Sequence, residues 1–278
     1  MQANNKKLLI MEYPIEFESL INRGDYENEI IGIGNPSSCI LFVGKEPAIP
    51  KEREQQRKLE IEENYTQWKT NVDHNVGIDD VLPQSDVNYK YNPLFPHRGQ
   101  KYKIRIEEFV DGEVRVKRGK EGTSKTWYQY QKIWDLIRFG KENVHSGIID
   151  FHEHCFSTEL SSANAKYSSQ AEKDKRRQSI DKRKDILRHP FYLKFPIVIL
   201  AVGHYPKEHN IDIESIFQTK WNQQTCVVGR FWYNIHSSTT NNPKILIHTN
   251  QLSMVSNDLI KEIAERCIDF KNKYGIRL

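Results

Sequence analysis

The chain has 278 residues, of which 37% are hydrophobic and 11% aromatic, and its formal net charge is +4. The aromatic share is far above that of disordered chains and the length suits one large domain, so we expect a single folded domain over residues 1–278. The four cysteines are scattered without a C-x-x-C pair, which argues against a disulfide framework, a zinc finger or an iron–sulfur cluster.

No segment of the sequence resembles a signal peptide or a membrane anchor. The apolar run near the start, Leu8 to Met11, is far shorter than the roughly 20 apolar residues that a spanning helix needs. We therefore expect a cytoplasmic, monomeric protein that makes no membrane contact.

The first half of the chain predicts a strand, a helical segment and a hairpin. The apolar run Cys39 to Val43 is typical of a buried strand. Residues 51–75 are charged and mostly helical. From Tyr102 to Val116 polar and apolar residues alternate around Asp111-Gly112, a strong hairpin signal. We interpret this β-hairpin as an insertion into the domain.

The second half alternates helices and strands. A helix is predicted from Thr123 or Ser124 to Gly140, and the final helix from Ser256 or Asn257 to Gly275. Apolar runs between them predict four further strands: Ile148 to Phe156, Phe195 to Val202, Phe231 to Ile235 and Lys244 to Ile247. We expect the strand from Phe231 to Ile235 to lie at an edge of the sheet.

This order of elements predicts the fold class. Short apolar strands separated by helices indicate a three-layer α/β/α sandwich with a central, mainly parallel sheet. Ligands of such sheets bind beyond the carboxyl ends of the strands. We therefore expect the segments that follow the strands to converge: Gly44 to Ala48, Thr158-Glu159, Gly203 to Tyr205 and His248 to Ser253.

A strongly basic stretch lies between Lys166 and Arg188. Such a run could neutralise DNA phosphates, and its candidate contacts are Arg176, Arg177, Arg183 and Lys184. The alternative is an exposed helix that charge keeps soluble.

Three of the strand ends carry motifs of a known family. Gly44-Lys45-Glu46-Pro47 resembles a water-activating loop of the form Gly-x-(Asp or Asn)-Pro. His248-x-x-x-Leu252-Ser253 resembles a motif in which Leu-Ser follows four residues after a His, and Gly203-His204-Tyr205 is similar to a Gly-Ser-Tyr motif. Taken in their order along the chain, these strand ends resemble those of the uracil-DNA glycosylase superfamily, and the resemblance extends from about Cys39 to Ser253.

The resemblance implies an enzyme that flips a modified base out of duplex or single-stranded DNA and hydrolyses its N-glycosidic bond, without a metal or organic cofactor. Glu46 would hold the attacking water and stabilise the sugar cation, and His248 would donate a hydrogen bond to the departing base. Leu252 would fill the gap in the stack. Other implied DNA contacts are Ser253, His204 and Tyr205, and the implied base pocket comprises Gly44, Lys45, Pro47, Ala48, Thr158 and Glu159.

The sequence departs from the family pattern at two places in this pocket. Thr158-Glu159 stands where an Asn typically reads the base, and an ionised Glu, which only accepts hydrogen bonds, would favour an exocyclic amino group. Ala48 replaces a Tyr that excludes a base methyl group, so we expect a wider pocket. A non-catalytic nucleic-acid-binding protein and a hydrolase of free nucleotides or other small molecules are therefore alternatives.

The individual residues also have structural interpretations. Glu46 could cap a helix that begins near Pro50, His248 could be a core histidine, and Leu252 could pack against the last helix. His152 and His154 would share one strand face, but without a further ligand pair we predict no metal site.

Overall fold

A computed structural model describes residues 13–27, 29–49, 52–102, 105–118, 123–141, 147–163 and 173–278. The strands are β1 (Ile33–Gly34), β2 (Ile40–Gly44), β3 (Arg105–Val110), β4 (Glu113–Arg118), β5 (Phe156–Glu159), β6 (Ile197–Leu200), β7 (Thr219–Val228), β8 (Phe231–Ser238) and β9 (Ile245–Thr249). The α-helices are α1 (Ile15–Asn22), α2 (Glu54–Arg57), α3 (Asn64–Asp73), α4 (Lys125–Phe139), α5 (Lys173–Leu187), α6 (Pro190–Leu193), α7 (Tyr205–Glu208), α8 (Ile213–Phe217) and α9 (Asn257–Tyr274).

Seven of these strands form one sheet in the order β1-β5-β2-β6-β9-β8-β7. The neighbouring pairs among β5, β2, β6 and β9 are parallel, whereas β1, β8 and β7 are antiparallel to their neighbours. In the parallel centre Gly44 lies opposite Glu159, and Leu200 lies opposite His248. The predicted α/β class with a mostly parallel central sheet is confirmed.

Helices cover both faces of the sheet because the central strands are apolar on both sides. On β2, Leu41 and Val43 belong to one core, which includes side chains of α1, α3 and α5, while Ile40 and Phe42 belong to a second core with α4 and α9. All four of these side chains are fully buried. A central strand enclosed in this way reads as a continuous apolar run, as the sequence indicated.

Capping residues define the ends of α4 and α9, the two helices that pack in the second core. The Ser124 side chain accepts a hydrogen bond from the Trp127 backbone amide, and α4 ends at Gly140, whose φ of 67° is left-handed. Ser256 caps α9 in the same way, and α9 ends at Gly275 with φ of 64°. Both predicted helices are confirmed together with their caps.

The predicted hairpin is also confirmed. β3 and β4 pair as a separate two-stranded sheet, and the turn residues Asp111 and Gly112 have φ of 55° and 81°. Positive φ at both turn positions gives the twist that such a two-residue connection needs.

Two strand predictions are wrong. The segment predicted as a strand from Ile148 instead forms a 3-10 helix at Phe151–Glu153, and β5 begins only at Phe156. The strand at Phe231 is longer than predicted and is not at the edge, because β7 pairs with its outer side. Most of β7 is polar and exposed, so it lacks the apolar run by which the other strands were recognised. Among the described helices, none has the length and apolar character needed to cross a bilayer.

Candidate functional site

The strand order reverses at β2. From β2 the chain crosses to β5 on one side and then to β6 and β9 on the other. In open α/β sheets, ligands bind beyond the carboxyl ends of the strands at such a switch point. The segments that meet there begin at Lys45 after β2 and at Ala201 after β6.

A cavity of about 510 Å³ lies at this switch point. Its size falls within the range of about 300–1,000 Å³ that is usual for small-molecule sites. The structure brings all six predicted base-pocket residues to its wall together with Glu46: Gly44, Lys45, Pro47, Ala48, Thr158 and Glu159. The aromatic side chains of Trp127 and Tyr130, from α4, line it as well.

Glu46 is fixed at the edge of this cavity by two side chains. Its Oε2 accepts hydrogen bonds from the Tyr205 hydroxyl at 2.7 Å and from Arg176 Nε at 3.1 Å, and its Oε1 accepts from Arg176 Nη2 at 3.3 Å. The Glu46 side chain is only 2% exposed. These bonds, rather than a helix cap, position the carboxylate, since α2 begins only at Glu54.

Glu159 is the second carboxyl group of the cavity. Its desolvation, reinforced by the charge of Glu46 and opposed by Arg183, raises its pKa to about 8. Its buried Oε2 has no hydrogen-bond partner in the described part of the chain. Glu159 therefore carries a proton at neutral pH and can donate a hydrogen bond, which corrects the expectation that it only accepts them.

Gly44 makes room for this carboxyl group. A Cβ atom at position 44 would collide with the Glu159 carboxyl group. The glycine of the loop motif thus leaves space for a close approach of the Glu159 side chain from the neighbouring strand.

The predicted convergence of His248 with Glu46 is wrong. His248 Nε2 donates a 2.8 Å hydrogen bond to the carbonyl oxygen of Gly203, and desolvation lowers the His248 pKa to about 4. His248 lines a neighbouring cavity of about 540 Å³ instead. In the sheet β6 lies between β2 and β9, and the His248 ring packs edge-on against Trp232 of β8, which lines the same neighbouring cavity.

The other implied DNA contacts near these strand ends differ in exposure. Leu252 is fully buried in the core with α9, which corrects its assignment as a wedge, because a side chain that enters the base stack must be exposed. In the same 3-10 turn Ser253 is partly exposed and Met254 is 64% exposed. Tyr205 is buried against Glu46, whereas His204 is exposed and stacks on Trp232 with ring centroids 5.4 Å apart.

The basic residues of α5 also have different roles. Arg183 is fully buried and donates hydrogen bonds to the carbonyl oxygens of Ile30 and Glu159 and to the Thr158 hydroxyl. It therefore cannot contact phosphate, and its assignment to DNA binding is corrected. Arg183 lies three residues after Ile180 and three before Ile186, on the apolar stripe of the helix, a signal that sequence reasoning missed.

The remaining basic candidates sit at or near the protein surface. Arg176 is bound to Glu46, and Lys184 forms an ion pair with Asp181 at 3.0 Å. Arg177 is exposed. The part of the run at residues 164–172, including Lys166, lies outside the described residues.

The two histidines considered for a metal site, His152 and His154, are not among the residues that line either cavity. His152 is buried, and desolvation lowers its pKa well below the usual value, while His154 Nε2 is 2.7 Å from Arg138 Nη1. Within the described ranges, no group of three or more His, Cys, Asp or Glu side chains is arranged to hold a metal ion.

Comparisons with protein-family models, with curated proteins and with solved structures gave no significant match to this chain.

Proposed function

We propose that this protein is a DNA glycosylase-like enzyme of the kind found in the uracil-DNA glycosylase superfamily, which hydrolyses the bond between deoxyribose and a flipped base. The observation that carries this proposal is the pair of carboxyl groups in one cavity at the switch point. Glu46 is bound to Arg176 and Tyr205, whereas Oε2 of Glu159 has no hydrogen-bond partner among the described residues, and the pKa of Glu159 is raised to about 8. Two carboxyl groups in such different surroundings suit different roles in acid–base catalysis.

In the proposed reaction, the water oxygen forms a bond to C1′ of the sugar while the C1′–N bond breaks and its electron pair stays on the base. Glu46 orients the water, stabilises the positive charge that develops on the sugar and accepts the proton that the water loses. Oε1 of Glu46 accepts only from Arg176 among the described hydrogen bonds, so it keeps capacity for the water. The departing base takes a proton from the cavity.

We assign that proton to Glu159, in place of the role expected for His248. A carboxyl group with a pKa near 8 is largely protonated at neutral pH, and catalytic acids work best when their pKa is near the operating pH. The Tyr130 hydroxyl, which is also buried without a hydrogen-bond partner among the described residues, lines the same cavity. A polar ligand in the cavity would supply hydrogen-bond partners for Glu159 Oε2 and for the Tyr130 hydroxyl.

Protonation also changes the base preference that we infer. A neutral carboxyl group presents one donor and one acceptor, as an amide does, so Glu159 can bind a carbonyl oxygen beside a ring N–H. The cavity is therefore compatible with uracil and with related bases such as hypoxanthine and xanthine. An apolar side chain for insertion into the stack would be Met254 rather than Leu252.

The proposal is tested by incubating the purified chain with oligonucleotides that carry uracil, hypoxanthine or xanthine, followed by alkaline cleavage at abasic sites. We expect strand breaks for at least one lesion, and their loss in Glu159→Gln. Glu265→Gln, an exposed carboxylate on α9, is the matched control. The absence of abasic sites with all lesions, in single-stranded and duplex DNA, would refute the enzyme proposal.

A non-catalytic nucleic-acid-binding protein with the same fold is the second candidate. It is favoured by the contact of Arg176 with both carboxylate oxygens of Glu46, which restricts access to the carboxylate. In that case the chain would bind DNA in a salt-dependent manner but leave every lesion intact. A hydrolase of free nucleosides would instead release base from nucleosides without measurable DNA affinity.

A further inference from the structure

The second cavity has a different character from the one at Glu46. It has a volume of about 540 Å³ and lies between β8 and the α7–α8 region. Gly203 lines it and separates it from Lys45, whose Cε would lie 3.6 Å from a Cβ atom added at position 203. The two cavities are therefore neighbours, but Glu46 and Glu159 do not line the second one.

Alternate residues of β8 form one wall of this cavity. Trp232, Asn234 and His236 point to the same sheet face because side chains two residues apart on a strand share a face. Asn234 pairs with His248 of β9 on one side and with Thr225 of β7 on the other, and both line the cavity. The wall therefore presents the Asn234 amide and the imidazoles of His236 and His248. The indoles of Trp232 and Trp221 line the same cavity.

Several polar atoms in this wall are buried without hydrogen-bond partners. They are Asn234 Oδ1 and both ring nitrogens of His236, in the described part of the chain. His236 is only 4% exposed, and the nearest carboxylate oxygen, Glu214 Oε1, is 3.8 Å from its Nδ1, too far for a hydrogen bond. Because buried polar groups are destabilising when they lack hydrogen-bond partners, the wall is suited to a ligand with hydrogen-bonding groups.

The charges around the cavity exclude a phosphate as its occupant. Asp212 and Glu214 line it, and Lys207 is the only cationic side chain among the described residues that line it. Desolvation lowers the pKa of both His236 and His248, so these imidazoles are neutral at neutral pH. A planar, uncharged ligand with hydrogen-bond donors therefore fits the electrostatics better than an anion.

We propose that this second cavity binds a nucleobase with an exocyclic amino group, adenine above all. An Asn side chain can form two hydrogen bonds with adenine, from its amide nitrogen to N7 and from N6 to its amide oxygen. The oxygen that would accept from N6 is the unsatisfied Oδ1 of Asn234. The indoles of Trp221 and Trp232 line the cavity, with His204 stacked on Trp232, and aromatic rings of this kind stack on bases in strand-binding proteins.

The base could belong to a free nucleoside or to an unpaired nucleotide of a strand, since the chemistry recognised is the same. This site goes beyond the proposed excision, because the chain could bind adenine there whether or not Glu46 and Glu159 catalyse hydrolysis. Lesion screens therefore do not test it.

The experiment compares adenosine with purine riboside, which lacks the amino group at position 6 and has no carbonyl group for the first cavity to bind, by titration calorimetry and by quenching of tryptophan fluorescence. We expect adenosine to bind about tenfold or more tightly than purine riboside, as for a bidentate Asn–adenine contact. Short oligodeoxyadenylate and oligodeoxythymidylate distinguish the two sources of the base. Binding of oligodeoxyadenylate without adenosine binding would assign the base to a strand.

Asn234→Leu, which keeps the approximate volume, should abolish the preference for adenosine, while Asn241→Ala, in the exposed turn after β8, should preserve it. If Asn234→Leu fails to fold, the comparison of adenosine with purine riboside on the unaltered chain still decides. Equal affinity for the two nucleosides, or binding of neither adenosine nor oligodeoxyadenylate, would overturn the proposal.

Discussion

The Tyr205 hydroxyl donates a 2.7 Å hydrogen bond to Oε2 of Glu46 and thereby joins the segments that follow β6 and β2. Arg176 of α5 binds the same carboxylate from another direction. A carboxylate fixed in advance by two partners needs little rearrangement when charge develops beside it. This contact fixes one of the two carboxyl groups on which the proposed chemical role of the switch-point cavity rests.

The buried Arg183 should be essential for stability rather than for DNA binding. Arg183→Ala would leave the carbonyl oxygens of Ile30 and Glu159 without their donor, and we expect a loss of about 3 kcal/mol in the free energy of unfolding. Arg177→Ala, on the exposed side of the same helix, should leave stability nearly unchanged. Urea denaturation measures both, and similar midpoints for the two variants would contradict the buried role.

Gly44 and Glu159 should be energetically coupled. Gly44→Ala places a Cβ atom against the Glu159 carboxyl group, and we expect a destabilisation of about 1–3 kcal/mol from this overpacking. In the background Glu159→Ala the same substitution should cost much less, because the colliding atoms are gone. A double-mutant cycle by urea denaturation measures the coupling. Additive effects of the two substitutions would show that the carboxyl group lies elsewhere.

The raised pKa of Glu159 predicts a specific pH dependence of stability. Its folded-state pKa of about 8 exceeds its usual value of 4.5, so the folded state holds a proton that the unfolded state loses. The contribution of Glu159 to the free energy of unfolding is fully present below pH 4.5. It declines by about 1.4 kcal/mol for each pH unit between 4.5 and about 8, and above that range it is lost. Glu159→Gln should flatten this decline in urea denaturation measured across that range. An unchanged pH profile in the variant would refute the raised pKa.

Exposed basic residues of α5 should govern nonspecific DNA affinity. Lys173 and Arg177 are exposed, so replacing each with Ala should weaken binding for all sequences and reduce the slope of log affinity against log salt by about 0.9 per lost phosphate contact. Fluorescence anisotropy over a series of salt concentrations gives that slope. Asp174→Asn, also exposed on α5, controls for effects on the helix itself. Identical slopes in all variants would show that Lys173 and Arg177 do not contact DNA phosphates.

Local patterns in the sequence were sufficient for the fold class and for part of the site. The apolar run at β2, the Asp111-Gly112 turn and the caps at Ser124 and Ser256 each act within a few residues, so they could be recognised without tertiary information. The strand-end rule then placed Glu46 and Glu159 at the same edge of the sheet.

The features that the sequence did not reveal depend on tertiary contacts. Protonation of Glu159 follows from desolvation and from the charge of Glu46 in the loop after the adjacent strand, and no local sequence pattern reports either. His248 turns towards β8 because of its packing with Trp232, and the apolar environment of Arg183 arises only when α5 docks on the sheet. The polar strand β7 was missed because it lies at an exposed edge.

The most direct test of the central claim is the single-turnover excision rate of Glu46→Gln on the lesion that the screen identifies. The amide keeps the shape of the side chain but loses the charge, so we expect a rate at least about 100-fold lower with DNA affinity preserved. Equal rates for Glu46→Gln and the unaltered chain would contradict the claim that this carboxylate activates water, and would leave the cavity without its catalytic base.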